Sequence, residues 1–148
     1  AIAAAIAVAG FLNSRLVGRL GMRMISHGAL IGGLLAAIVM FVAERIHMLP
    51  LSLFMVLSAA MMFAFGLTFA NFTALALEPQ RFNAGTASSL YGSITTLLGI
   101  GAGTIIGQAF DGTVEPFATG FLVCMFISIA IVVITEKGRL FHSHRPGQ

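Results

Sequence analysis

The chain of 148 residues is 58% apolar and only 9% charged, with a formal net charge of +3 and a mean hydropathy of +1.00. About a quarter of the residues in a soluble domain carry charge, so this composition excludes an ordinary water-soluble fold and indicates an integral membrane protein. The positive balance needs no nucleic-acid partner, because topology and attraction to anionic membrane lipid account for it.

Residues 1–17 open with "AIAAAIAVAGFL", an apolar run that meets Asn13 and Arg15 too early for a full crossing. It lacks the basic start and small-residue cleavage site of a secretory signal, and reads as the truncated end of a span in a longer protein. A short basic loop, Asn13–Arg23, follows. Four charge-free stretches come next, giving spans at about 24–43, 49–77, 84–110 and 116–135. Each reaches the ~20 residues needed to cross a bilayer core about 30 Å thick. The runs lack the ten-residue alternation of a transmembrane barrel, so the expected fold is an all-α, polytopic helical bundle. Residues 137–148 read as a cytoplasmic tail.

The basic residues test this span count. Arg15, Arg19, Arg23, Arg81, Lys137, Arg139 and Arg145 fall in alternate connections and therefore on one side, with Arg45 alone on the other. The positive-inside rule places the richer side, and the C-terminus, in the cytoplasm.

The fourth span is unusual. Gly85–Gln108, "GTASSLYGSITTLLGIGAGTIIGQ", holds six glycines and seven serines or threonines. Wound at about 100° per residue, Gly85, Ser88, Gly92, Gly99, Gly103 and Gly107 fall on one stripe, with leucines and isoleucines opposite. Lipid gives helices no hydrophobic reason to associate, whereas small residues let backbones approach closely. The stripe is therefore expected to be a helix-packing seam, either static or able to slide. Gly28, Gly32 and Ala36 form a second, shorter stripe of the same kind.

Several polar or adaptable residues within the spans could line a cavity. Asn71 and Thr73 stand in a run rich in Phe and Met, where each could orient a ligand or simply bond a neighbouring helix. Met62 and Phe65 suit a permissive pocket. Tyr91, the sole tyrosine, and Thr95 lie at or near the small stripe. No carboxylate lies inside a span away from its ends. Asp111 and Gly112 read as a helix-ending turn. His142 and His144 in the tail read as solvated. No phosphate-binding glycine loop, catalytic carboxylate pair or zinc spacing is present, so neither an enzyme, a metal site nor a cofactor is expected. Cys124 is the only cysteine, so no disulfide can form within the chain.

The loop "NSRLVGRLGMR" resembles the cytoplasmic signature of the major facilitator superfamily, G-x-L-x-D-R-x-G-R-R. It keeps Leu16, Arg19, Gly21 and Arg23 and departs at Ser14, Gly18 and Met22. Arg19 and Arg23 could there latch onto carboxylates or helix C-terminal carbonyls of neighbouring helices. The stretches "NFTALALEPQRFNAGTASSLYG" and "GQAFDGTVEP" resemble the Bcr/CflA drug-resistance transporters. The resemblance implies part of the C-terminal six-helix half, helices eight (partial) to twelve, of a proton-coupled exporter. Such a protein would move small drug-like molecules across a bacterial inner membrane. It also implies a missing N-terminal half as partner, holding the main proton-carrying residue. A structural or assembly subunit of a membrane complex is the alternative that the same residues permit.

Overall fold

The computed structural model describes residues 2–136, without the side chains of Ile2 and Arg81. The expected tail, with His142 and His144, lies outside the described residues. The described chain is all-helical. α1 covers Ile2–Leu20, α2 Met22–Arg45 and α3 Leu51–Leu77; a 3₁₀ elbow, Glu78–Asn83, leads into α4, Ala84–Gln108, and α5 is Glu115–Thr135. All five α-helices are long and apolar enough to cross a membrane.

The loop expected at Asn13–Arg23 is not a loop. α1 continues through Asn13, Arg15 and Arg19 to Leu20, and α2 starts at Met22. Nothing in that stretch stops a helix. Ser14 Oγ donates back to the Phe11 carbonyl (2.7 Å) and the Arg15 guanidinium lies over the Phe11 ring (5.3 Å). The chain reverses at one residue, Gly21, whose φ of 81° is open to glycine and strained for residues with a Cβ. The span drawn at 1–17 is correspondingly a helix of 19 residues.

The other breaks also follow from sequence. Pro79 has no N–H to extend α3, and Gln80 within the elbow leaves helical geometry. After α4, Asp111 Oδ1 accepts from the Thr113 hydroxyl (2.6 Å) and backbone N–H (3.0 Å), while Gly112 turns the chain at φ 94°. This is the turn expected there. The Thr113 hydroxyl and then its N–H hold the Asp111 carboxyl below its ordinary value. A depressed carboxyl contributes at pH above its unfolded value and loses that contribution as pH falls through the folded one, so the turn persists into mild acid.

α2 is the centre of the bundle. It runs antiparallel to α3 and α5, and α1 lies parallel to α3. One buried cluster joins Ala9, Ile25, Ala29, Ala64 and Leu67; a second joins Ala36, Ala37, Met40, Met61 and Ala118. Small residues set these contacts. A Cβ built on Gly33 would lie 3.2 Å from the Ala64 Cβ, and one on Gly66 would lie 2.9 Å from the Ala9 Cβ. Of the stripe expected at Gly28, Gly32 and Ala36, Ala36 is buried in the second cluster, whereas a Cβ at Gly28 or Gly32 meets nothing within 4 Å. Gly33, one position on, does the packing.

Polar links tie the helices further. Asn13 and Asn71 exchange amide bonds between α1 and α3 (3.2 and 2.8 Å), and Asn71 Nδ2 also donates to the Leu67 carbonyl (2.9 Å). Two ion pairs pin α2 to α5 at opposite ends, Arg23–Glu136 (2.9 Å) and Arg45–Glu115 (2.8 Å). Arg15, Arg19 and Arg23 thus share one end of the bundle, and Arg45 stands at the other.

Replacing Asn71 by Leu is expected to destabilise the folded protein by about 1 kcal/mol. The Asn13→Leu, Asn71→Leu pair should cost less than the two single changes summed, since neither amide is then stranded. Gly66→Ala should cost about 1–3 kcal/mol through overpacking, with Ala9→Gly restoring part of it. Denaturation in mixed detergent micelles measures each.

Candidate functional site: a cavity between four helices

The face of α3 that turns from α1 carries Ala64, Phe65, Thr68, Phe69 and Phe72, residues at helical spacing on one side. Opposite them α5 presents Met125, Ser128, Ile131 and Val132 at the same period. α2 contributes Ala29 and Leu30, and α4 contributes Tyr91. Together they line a half-open cavity of about 320 Å³, within the size range of small-molecule sites. The Phe65 and Phe69 rings stack at 5.5 Å on its α3 wall.

Three hydroxyls interrupt this apolar lining. Thr68 donates to the Ala64 carbonyl and Ser128 to the Cys124 carbonyl, each at 2.8 Å. Their hydrogens are spent on their own helices, while their oxygens keep lone pairs to accept a bond. The Tyr91 hydroxyl accepts from Thr73 Oγ1 at 3.1 Å, which leaves its own hydrogen to donate. The arrangement suits a flat, mostly apolar molecule with one or two polar atoms. Tyr91 also forms the wall towards a second cavity of about 640 Å³, beneath the elbow, where Gln80, Asn83 and Thr86 make the lining more polar.

Of the residues expected to line a cavity, Phe65 and Tyr91 do so in the first cavity. Thr73 reaches it only through Tyr91. Asn71 is buried at 2% exposure and spent on Asn13, the helix–helix alternative open from sequence. Thr95 bonds the Tyr91 and Gly92 carbonyls of its own helix. Met62 is half-buried outside the lining, and its neighbour Met61 takes the core position. The lining residues missed were Ala29 and Leu30 of α2, Ala64, Thr68, Phe69 and Phe72 of α3, and the whole α5 face. A signal existed for Ser128, the one serine in a helix of branched aliphatics.

The latch residues separate. Gly21 is the hinge between α1 and α2, and Leu16 and Arg19 are exposed. Among the described residues Arg19 makes no ion pair; Arg23 makes one, with Glu136.

The glycine seam is the main correction. α4 is a helix, but it has no buried residue. A Cβ on Gly85, Gly92, Gly99, Gly103 or Gly107 meets nothing within 4 Å, and the Ser88 hydroxyl bonds Gly85 of its own helix. Among the described residues the bare stripe lies against no neighbouring backbone. α4 is held instead by its edge. Ile106 fills the space over Gly120 of α5, and Tyr91 meets Thr73 of α3. At about 100° per residue Tyr91 lies about 100° and Ile106 about 40° round from Gly92 on the same side, so α4 is held at one margin of the stripe and the glycines turn outward.

Comparison with family models, with curated proteins and with solved structures finds no match for the chain.

Gly99→Leu and Gly103→Leu are expected to change the stability of these five helices by less than about 0.5 kcal/mol, as at any site free of packing. Parallel unfolding curves in detergent check this, with Gly120→Leu, which would strike Ile106, as the disruptive control.

Proposed function

We propose that the chain forms helices eight to twelve of a proton-coupled exporter of small drug-like molecules, built on the major facilitator plan. The observation that carries this reading is the apolar cavity with three convergent hydroxyls. It is walled by four helices, one of which leaves a long face of small residues uncovered. In this reading α2, α3 and α5 form a fixed block and α4 is the helix nearest the other half of the transporter. Its glycine face takes helices from the N-terminal half of the same protein. Alternating access by two rocking halves needs contacts that close on one side and open on the other, and a smooth glycine face allows that without interlocking side chains.

The basic end of the bundle, with Arg15, Arg19 and Arg23, faces the cytoplasm in this reading, by the positive-inside rule. The protein then sits in a bacterial inner membrane with a cytoplasmic C-terminus. The molecules it handles are the drug-like substrate, protons and the surrounding lipid.

The test is accumulation of a broad drug panel in cells with and without the full-length protein, with the proton gradient intact and collapsed. Lower accumulation that needs the gradient is expected. Gly99→Leu and Gly103→Leu should abolish most of the difference while leaving membrane insertion unchanged. Equal accumulation under every condition would sink the export reading and favour an assembly subunit.

A further inference from the structure

Counting carboxylates places no proton carrier inside these spans, yet one ionisable side chain lies deep in the bundle. His27 stands on α2, one turn in from Arg23, and is 2% exposed. Its ring lies 6.5 Å, centroid to centroid, from that of Phe72 on α3, tilted by 54°. An ionisable group at such a place in a membrane helix is expensive to keep and marks function more often than packing.

Its position connects two features already described. His27 borders a small cleft with Leu30, Ile31, Ile129 and Val132, and Leu30 and Val132 also wall the main cavity. One turn towards the start of α2 is Arg23, whose ion pair with Glu136 has side-chain exposures of 37% and 18%. Among the described residues, the charges acting on the imidazole are Glu136 from α5 and Arg23 from its own helix. From α3 the uncharged Phe72 ring faces it.

The two pins between α2 and α5 are not equivalent. Arg45 is in the last turn of α2 and Glu115 in the first turn of α5, the ends where helix dipoles favour those charges. Arg23 is in the first turn of α2 and Glu136 just past the end of α5, where the dipoles oppose both. The Arg23–Glu136 pin therefore holds by the pair's mutual attraction against its helices, and it is the one a nearby charge can disturb.

We propose that His27 binds the coupling proton in this part of the chain, and that the imidazolium so formed competes with Arg23 for the Glu136 carboxylate and loosens the α2–α5 seam beside the cavity. A proton enters from the Arg-rich end and adds to an imidazole nitrogen; no covalent bond breaks, and deprotonation returns Glu136 to Arg23. The two positive charges, a helical turn apart, repel each other while sharing one carboxylate. The link to transport rests on the export reading; the switch itself does not.

The experiment uses the full-length protein in nanodiscs, with Cys124→Ala and spin labels at Met24→Cys and Ile134→Cys, exposed positions near the Arg23–Glu136 end. The label separation is expected to widen by several ångströms as pH falls from about 8 to about 5, the range in which histidine titrates. A second label pair, Val42→Cys and Val123→Cys, towards the Arg45–Glu115 end, should stay constant. His27→Gln should hold the narrow separation at every pH, and Glu136→Gln, which keeps the histidine, should hold the wide one. A wild-type separation that ignores pH, or a pH response that survives His27→Gln, overturns the proposal. Proton-driven export should fall on the order of tenfold in His27→Gln, a usual size for coupling between two sites. A protein that switches with pH but exports nothing defeats the export reading alone; one that exports without switching defeats the His27 assignment alone.

Discussion

Helices in lipid gain nothing by hiding apolar surface from one another, because the tails around them are equally apolar. What remains is dispersion between closely approaching backbones, together with the few polar groups that lipid cannot satisfy. The bundle follows this constraint. α2 can sit between α3 and α5 because Ala29, Gly33, Ala36 and Ala37 leave room for Ala64, Met61 and Ala118. α1 can lie along α3 because Gly66 receives Ala9. The long apolar side chains, by contrast, mostly face outward, as Leu35, Val39, Ile127 and Ile134 do.

Polar groups then fix which helices meet and at what height. The Asn13–Asn71 exchange sets the register of α1 on α3, and an unpaired amide at that depth would be costly. The ion pairs set the register of α2 on α5 at both ends. Between these ties, the divergence of α3 and α5 leaves the space that becomes the cavity, and the hydroxyls of Thr68, Ser128 and Tyr91 are what make that space more than a packing defect. The cavity, the buried His27 and the Arg23–Glu136 pair lie in succession along the α2–α5 seam and share its side chains as walls.

α4 stands apart from this logic. Its attachment is a side chain into a glycine, Ile106 over Gly120, and one hydroxyl contact, Tyr91 with Thr73. Because Tyr91 separates the first cavity from the somewhat more polar one beneath the elbow, a small tilt of α4 would change the boundary between them without disturbing the core on α2.

Much was legible in the sequence, because hydropathy, charge placement and the breakers Pro79 and Gly112 act locally. They gave the all-helical class, the spans after Gly21, the sorting of arginines to one end, and the turn at Asp111. The loop expected at Asn13–Arg23 is helical instead, because polar and basic residues do not by themselves end a helix and only Gly21 has a backbone reason to do so. Which face of each helix meets a partner was not legible. A stripe of glycines states that close approach is possible and does not say to what; Gly33 and Gly32 differ by one position and fall on opposite sides of contact and open space. Phe65, Tyr91 and Ser128 share a cavity, and His27 shares a seam with Glu136, only because four helices are brought together. Composition and local pattern thus determined the solvent, the helices and their order, since each depends on residues within a turn or two. Partner faces, the cavity and the site of His27 were decided by tertiary structure, since each depends on rotation and register between helices that no local pattern encodes.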